Sequence, residues 1–203
     1  MEREGGHDAH GHQRRYGAPG ERLRAPERVA LLQVPRAVDL GLQGLAPGDQ
    51  PSDAAAAGKG LSVLDIGTGT GLFAEALLAR GVQVTGIDPN QDLLDMAGRL
   101  VPGAAFLAGT AETLPFGNGS FDLVWMSHVL HETDDPQAAL AEAARVARRR
   151  VVVIEWPYLD EERGPPLAHR LEPARIEALG RQAGFARIEM VPLGHMLLYR
   201  MDL

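Results

Sequence analysis

From residue 62 onward the chain alternates two kinds of apolar pattern. Short runs of mostly apolar residues fall at 62–66, 82–87, 104–108, 121–126, 150–155, 185–191 and 195–201. Between them, apolar positions recur at helical spacing over 70–80, 90–100, 135–147 and 173–183. Runs apolar throughout belong to strands covered on both faces, and strands alternating with helices imply a parallel, doubly wound sheet. The pattern therefore predicts an α/β fold with a seven-stranded, mostly parallel sheet in a three-layer α/β/α sandwich. The end breaks the rhythm. Only Pro192-Leu193-Gly194 separates the last two runs, which is room for a hairpin and not for a crossover, so the last strand is expected antiparallel to its neighbour.

The region before residue 61 is different. Residues 1–20 are polar and Gly-rich and read as a flexible arm containing His7, His10 and His12. Residues 26–44 carry Val29, Leu32, Val38, Leu40 and Leu42 and predict one or two short helices. Residues 46–60 are small and helix-breaking, a linker. Three parts are thus expected: an arm at 1–20, a helical cover and linker at 21–60, and a main domain at 61–203.

Composition narrows the class. The 203 residues are 45% hydrophobic and 23% charged, as in globular proteins. No eighteen-residue apolar run and no signal-type apolar segment is present, so no membrane association is expected and cytoplasmic location is the default. The formal charge of −7 argues against a dedicated nucleic-acid binder. Arg145, Arg148, Arg149 and Arg150 form a basic run, expected at a helix C-terminus where cations offset the dipole. The absence of cysteine removes thiolate metal sites and Cys nucleophiles. The three N-terminal histidines are metal-ligand types, but no functional metal is expected of such a tract.

The most informative segment follows the first strand. Gly67-Thr68-Gly69-Thr70-Gly71, preceded by Asp65, opens a helix. Glycines there allow a tight turn and close approach to a ligand, and the helix start offers free N–H groups. The second strand ends at Asp88-Pro89, placing a carboxylate where ribose hydroxyls are bound in such sheets. A dinucleotide fingerprint needs a glycine where this chain has Leu72.

The Gly67, Gly69, Gly71 arrangement resembles the first motif of the class I S-adenosylmethionine-dependent methyltransferases. The segments Gly109 to Phe116 and Gly119 to Val124 resemble the family's third-strand loop and fourth strand. The similarity is closest to small members related to the ubiquinone/menaquinone-biosynthesis group and spans about residues 20–203. It implies a Rossmann-like fold and S-adenosylmethionine as cofactor, with S-adenosylhomocysteine as product. It also implies cofactor contacts from Asp65, Gly67, Thr68, Gly69, Gly71, Asp88, Pro89, Thr110, Ala111 and Ser127. In the family the residue at Thr110 is commonly Asp and meets the adenine amino group, the backbone at Ala111 reaches the ring, and Ser127 lies at the methionine end. A further departure is Arg148-Arg149-Arg150 in place of the usual Pro-Gly-Gly turn.

Methyl transfer from a sulfonium is an in-line displacement, so the protein chiefly positions and shields; a base is needed only where the acceptor must lose a proton. His128 and His131 follow the fourth strand and are the base candidates, with turn capping and core packing as the ordinary alternatives. Tyr16 on the arm, Glu155, Trp156 and His169 are candidates for the acceptor pocket, and loop 157–172 is a candidate lid. The Asp/Asn-Pro-Pro-aromatic run of amino-methylating DNA enzymes is absent; Met126-Ser127-His128-Val129 stands there. Cytosine-C5 and arsenite enzymes need a Cys. A small-molecule acceptor and a monomer or homodimer are expected. The alternatives are a non-catalytic S-adenosylmethionine-binding regulator and a nucleotide-dependent oxidoreductase.

Overall fold

The computed structural model describes residues 20–45 and 60–203. Nearly all of the expected arm, with Tyr16 and the three histidines, and nearly all of the expected linker lie outside these residues. Three short helices come first: α1 (Gly20–Leu23), α2 (Pro26–Leu32) and α3 (Val34–Leu42). There follow β1 (Ser62–Ile66), α4 (Leu72–Leu78), β2 (Gln83–Asp88), α5 (Gln91–Leu100), β3 (Ala105–Ala108) and β4 (Phe121–Ser127). The chain ends with α6 (Pro136–Val146), β5 (Ala147–Glu155), α7 (Pro173–Gln182), β6 (Arg187–Leu193) and β7 (Met196–Asp202).

The seven strands lie in the order β3-β2-β1-β4-β5-β7-β6. The pairs among β3, β2, β1, β4 and β5 are parallel, and β7 is antiparallel to both β5 and β6. The expected fold is the observed one. The chain winds outward from β1 to β3, then crosses back to β4 on β1's other side. The carboxyl ends of β1 and β4 thus flank the crevice where doubly wound sheets bind ligands.

The two core layers follow from side-chain alternation along each strand. Val63, Leu123, Trp125, Val152 and Ile154 face one layer with α2, α3 and α4; Leu64, Val124, Met126, Val151 and Val153 face the other with α6 and α7. Gly41 lets α3 lie directly on the Trp125 indole, which a Cβ there would overlap.

Element boundaries moved where local chemistry intervened. Asn90 and Asp135, expected inside helices, are N-caps whose side chains accept from the second and third backbone N–H groups beyond them. Helix α4 starts two residues later than expected because Gly71, in the left-handed region, caps it. The hairpin turn is Gly194-His195, two residues long, and Pro192 sits within β6. An edge strand tolerates a proline, which has no N–H to pair.

The basic run is corrected in part. Arg145 lies in the last turn of α6 as expected, but the helix ends at Val146 and β5 begins at Ala147, so Arg148, Arg149 and Arg150 are strand residues. Two of them serve another helix. Arg150 donates to the carbonyls of Gly41 (3.0 Å) and Gln43 (2.6 Å) and pairs with Asp202, while Arg149 donates to the carbonyls of Gly44 and Leu45. These carbonyls lie at and just beyond the end of α3, so cations do offset a helix end here, but one about a hundred residues away.

Candidate active site

A cavity of about 410 Å³ opens at the carboxyl ends of β1 and β4. That size suits a cofactor or drug-sized ligand. Its wall runs from Gly67 and Gly69 through Asp88-Pro89, Gly109 to Glu112 and Ser127 to Val129, and on to His131, Glu132, Trp156, Gly164 and Pro165. Leu23 of α1 and Arg28 of α2 close one side. A smaller recess beside it is lined by Asp65, Gly67, Thr68, Gly69 and Ser127, again with Leu23 and Arg28.

The glycine loop is shaped by close approach. Gly67, Gly69 and Gly71 have φ of 65°, 53° and 77°, the left-handed region that glycine adopts without strain. A Cβ on Gly67 would also overlap the Val129 side chain from the β4 turn. Asp88 holds the loop: one carboxylate oxygen accepts from the Gly69 N–H and the other from the Asn90 N–H, both at 2.9 Å. Burial raises the Asp88 pKa, and the two N–H groups oppose that rise. Asp65 accepts from the Thr68 hydroxyl at 2.7 Å. Burial pushes its pKa up to about 7, against the Thr68 bond and with help from nearby Asp88. Gly71 does not reach the cavity; it packs on Val101, Ala97 and Phe106. Arg24 pins α1 to this loop through the Thr70 carbonyl (2.9 Å) and Glu75 (2.6 Å).

The far wall is built from side chains. His128 adopts φ 58° in the turn after β4, and its N–H donates to the Ile154 carbonyl. Its ring nitrogens meet the Ser127 hydroxyl (3.2 Å) and the Met196 sulfur (3.3 Å), and its face meets Trp156. Burial, with Arg28 and His131 nearby, lowers its pKa well below the ordinary imidazole value. His131 lies in a 3₁₀ turn and behaves oppositely. Its Nδ1 is 2.6 Å from Glu155, and its Nε2 is 3.5 Å from Glu132. Burial alone would lower its pKa, but the two carboxylates outweigh that and raise it to about 9. At neutral pH His131 is a cation and His128 is not.

Trp156 forms the floor beneath the loop that follows β5. Gly164, at φ 83°, lets the loop backbone rest on the indole. Arg170, its side chain fully buried, gathers that loop: it donates to the carbonyls of Pro157, Arg163 and Pro165 and pairs with Glu161 at 2.6 Å. Its guanidinium also stacks 5.4 Å from the indole centre.

Of the residues singled out in the sequence, Gly67, Gly69, Asp88, Pro89, Thr110, Ala111, Ser127, His128, His131 and Trp156 converge on the main cavity. Asp65 and Thr68 line the recess. Glu155 stands behind His131. His169 is exposed and lines neither; its neighbour Arg170 turns inward. Sequence reasoning passed over Arg28 and Glu132, because an arginine on a short amphipathic helix carries no signal of its own. Of the pair His169-Arg170, which could face the site or solvent, it is Arg170 that turns inward.

Comparison with known proteins fits this geometry. Residues 64–154 match the family model described as a methyltransferase domain. A demethylmenaquinone methyltransferase of Renibacterium salmoninarum is 37% identical over 108 residues, 52% of this chain and 46% of that protein. An uncharacterized methyltransferase of Mycobacterium tuberculosis is 40% identical over 104 residues, 50% of this chain and 42% of its own. The chain thus spans less than half the length of these relatives. Among solved structures, a SAM-dependent methyltransferase from Aquifex aeolicus superposes with TM-score 0.75 at 23% identity, covering 90% of this chain and 96% of that one. The magnesium protoporphyrin IX methyltransferase of Synechocystis PCC 6803, solved with bound SAM, gives 0.64 at 21% identity over 94% and 88%. At such identities the structural likeness speaks to the fold.

Proposed function

We propose that the chain, whose residues 64–154 match the methyltransferase-domain family model, is a class I S-adenosylmethionine-dependent methyltransferase related to the menaquinone/ubiquinone group and transfers a methyl group from S-adenosylmethionine to a small-molecule acceptor. The observation that carries this reading is the Asp88 carboxylate, which anchors the glycine loop at Gly69 while facing the cavity at the reversal of strand order. Each Asp88 oxygen keeps acceptor capacity for a ribose hydroxyl. Thr110 and Ala111 then border the adenine. Asp65, Gly67, Thr68 and Ser127 surround the methionine end, and Gly71 supports the loop from below. Helices α1 to α3 act as a cover on the body formed by residues 61–203.

The cofactor brings an activated methyl group, and the protein's part is to orient the acceptor in line and keep water out. Trp156, Gly164 and Pro165 supply the shielding wall. His131, already protonated, holds positive charge or donates a proton; it does not take one. His128 is neutral, but its ring nitrogens meet Ser127 and Met196 and its depressed pKa makes it a weak base.

Titration calorimetry with S-adenosylhomocysteine tests the reading, with one molecule bound per chain expected. Tighter binding of NAD in a thermal-shift screen overturns it in favour of an oxidoreductase. Binding without methyl transfer to any member of a broad acceptor panel, read by mass spectrometry, favours a regulatory protein.

A further inference from the structure

Arg28 differs from the other buried or half-buried arginines of this fold. Arg24, Arg145, Arg150 and Arg170 each hold a carboxylate or backbone carbonyls. Arg28 lines the cavity and its recess, and among the described residues it has no hydrogen bond or ion pair. Two acids on the same wall are engaged elsewhere: Asp88 accepts from Gly69 and Asn90, and Glu112 accepts from the Asp134 N–H. Glu132, beside His131, acts on Arg28 through its charge but forms no ion pair or hydrogen bond with it. A guanidinium half withdrawn from water with its donors unused is costly unless a ligand completes it.

We propose that Arg28 binds the carboxylate of the acceptor, which makes the acceptor a small organic acid with an apolar body. The inference rests on the S-adenosylmethionine reading above. Leu23, Val129, Trp156 and Pro165 offer the apolar surface for that body. A carboxylate is anionic at neutral pH and needs no proton removed, which suits a wall whose two imidazoles are one weakly basic and one already charged. An anion also complements the positive sulfonium that the cofactor would place here. The planar guanidinium matches a carboxylate with two parallel N–H bonds.

The test uses the full chain and two measurements. S-adenosylhomocysteine binding is measured by calorimetry for the native protein, Arg28→Gln and Arg28→Lys. Phenylacetate and decanoate, each against its amide, are then titrated into the S-adenosylhomocysteine complexes. The expected result is S-adenosylhomocysteine affinity within about threefold in all three proteins, a shift too small for a lost charge-assisted pair. At least one acid should bind the native complex and its amide should not, with acid affinity reduced about tenfold or more in Arg28→Gln and partly restored in Arg28→Lys. Acid and amide binding equally, or neither binding, overturns the inference. So does a collapse of S-adenosylhomocysteine affinity in Arg28→Gln alone, which would assign Arg28 to the cofactor's own carboxylate. Failure of the native protein to bind S-adenosylhomocysteine is a separate result and removes the cofactor reading itself.

Discussion

The two walls of the cavity are built by different means. The wall at the end of β1 is backbone: left-handed glycines, N–H groups and one carboxylate, all within about two dozen residues from Asp65 to Asn90. The wall at the ends of β4 and β5 is side chains brought from afar. His131 meets Glu155, His128 meets Met196, and Arg28 arrives from a separate helix. Backbone geometry suits a part of the ligand that does not vary, because few substitutions alter it without strain. Side-chain walls are easily altered, which suits acceptor choice.

Gly67→Val should have the largest effect. It places a branched side chain at φ 65° and against Val129, and should cost about 3 kcal/mol or more of stability. Denaturant unfolding of this variant, of Val129→Ala and of the double variant forms a cycle. Partial recovery in the double variant would divide the cost between the clash and the backbone strain. Asp88→Ala comes next. It removes the anchor of Gly69 and the ribose acceptor together, and S-adenosylhomocysteine affinity should fall about 100-fold. An affinity within a few-fold of native would show that the loop needs no carboxylate.

Glu155→Gln probes the other wall. It should lower the His131 pKa from about 9 towards or below the ordinary 6.5, read by proton NMR of the ring. The sign of the native pH dependence follows. With a folded pKa near 9 and an unfolded one near 6.5, the folded state binds the extra proton between them. This contribution, on the order of 3 kcal/mol, is complete below about pH 6.5 and is lost as pH rises through 9. The variant should show a flatter stability profile over that window, and an unchanged profile would discard the ion pair. Arg170→Gln should have the smallest effect, on the order of 1 kcal/mol in global stability. Its mark should be local: faster amide exchange between Pro157 and Pro166 as the carbonyls of Pro157, Arg163 and Pro165 lose their donor.

The difference between the walls also explains which parts were legible in advance. The glycine loop and Asp88 were readable because their spacing along the chain is their geometry. The winding of the sheet was readable because its central strands are mostly apolar and alternate with helices. The helix caps Asn90 and Asp135 were misplaced by a single residue, since a cap is a helix residue in all but its backbone angles. Most of the arginine run was placed on the wrong element, because nothing near Arg149 and Arg150 in sequence announces the carbonyls beyond α3.

By itself the sequence determined the strand order class, the cofactor-type loop and the neighbourhood of the site, all through interactions between residues close along the chain. Only the tertiary structure decided that His131 carries charge while His128 does not. It also decided that Arg170 gathers the loop rather than His169, and that Arg28 stands on the cavity with no hydrogen bond or ion pair to its side chain among the described residues. The reason is physical. The charge state of a buried group depends on its desolvation and on partners at a few ångströms, and neither is fixed until distant segments pack together.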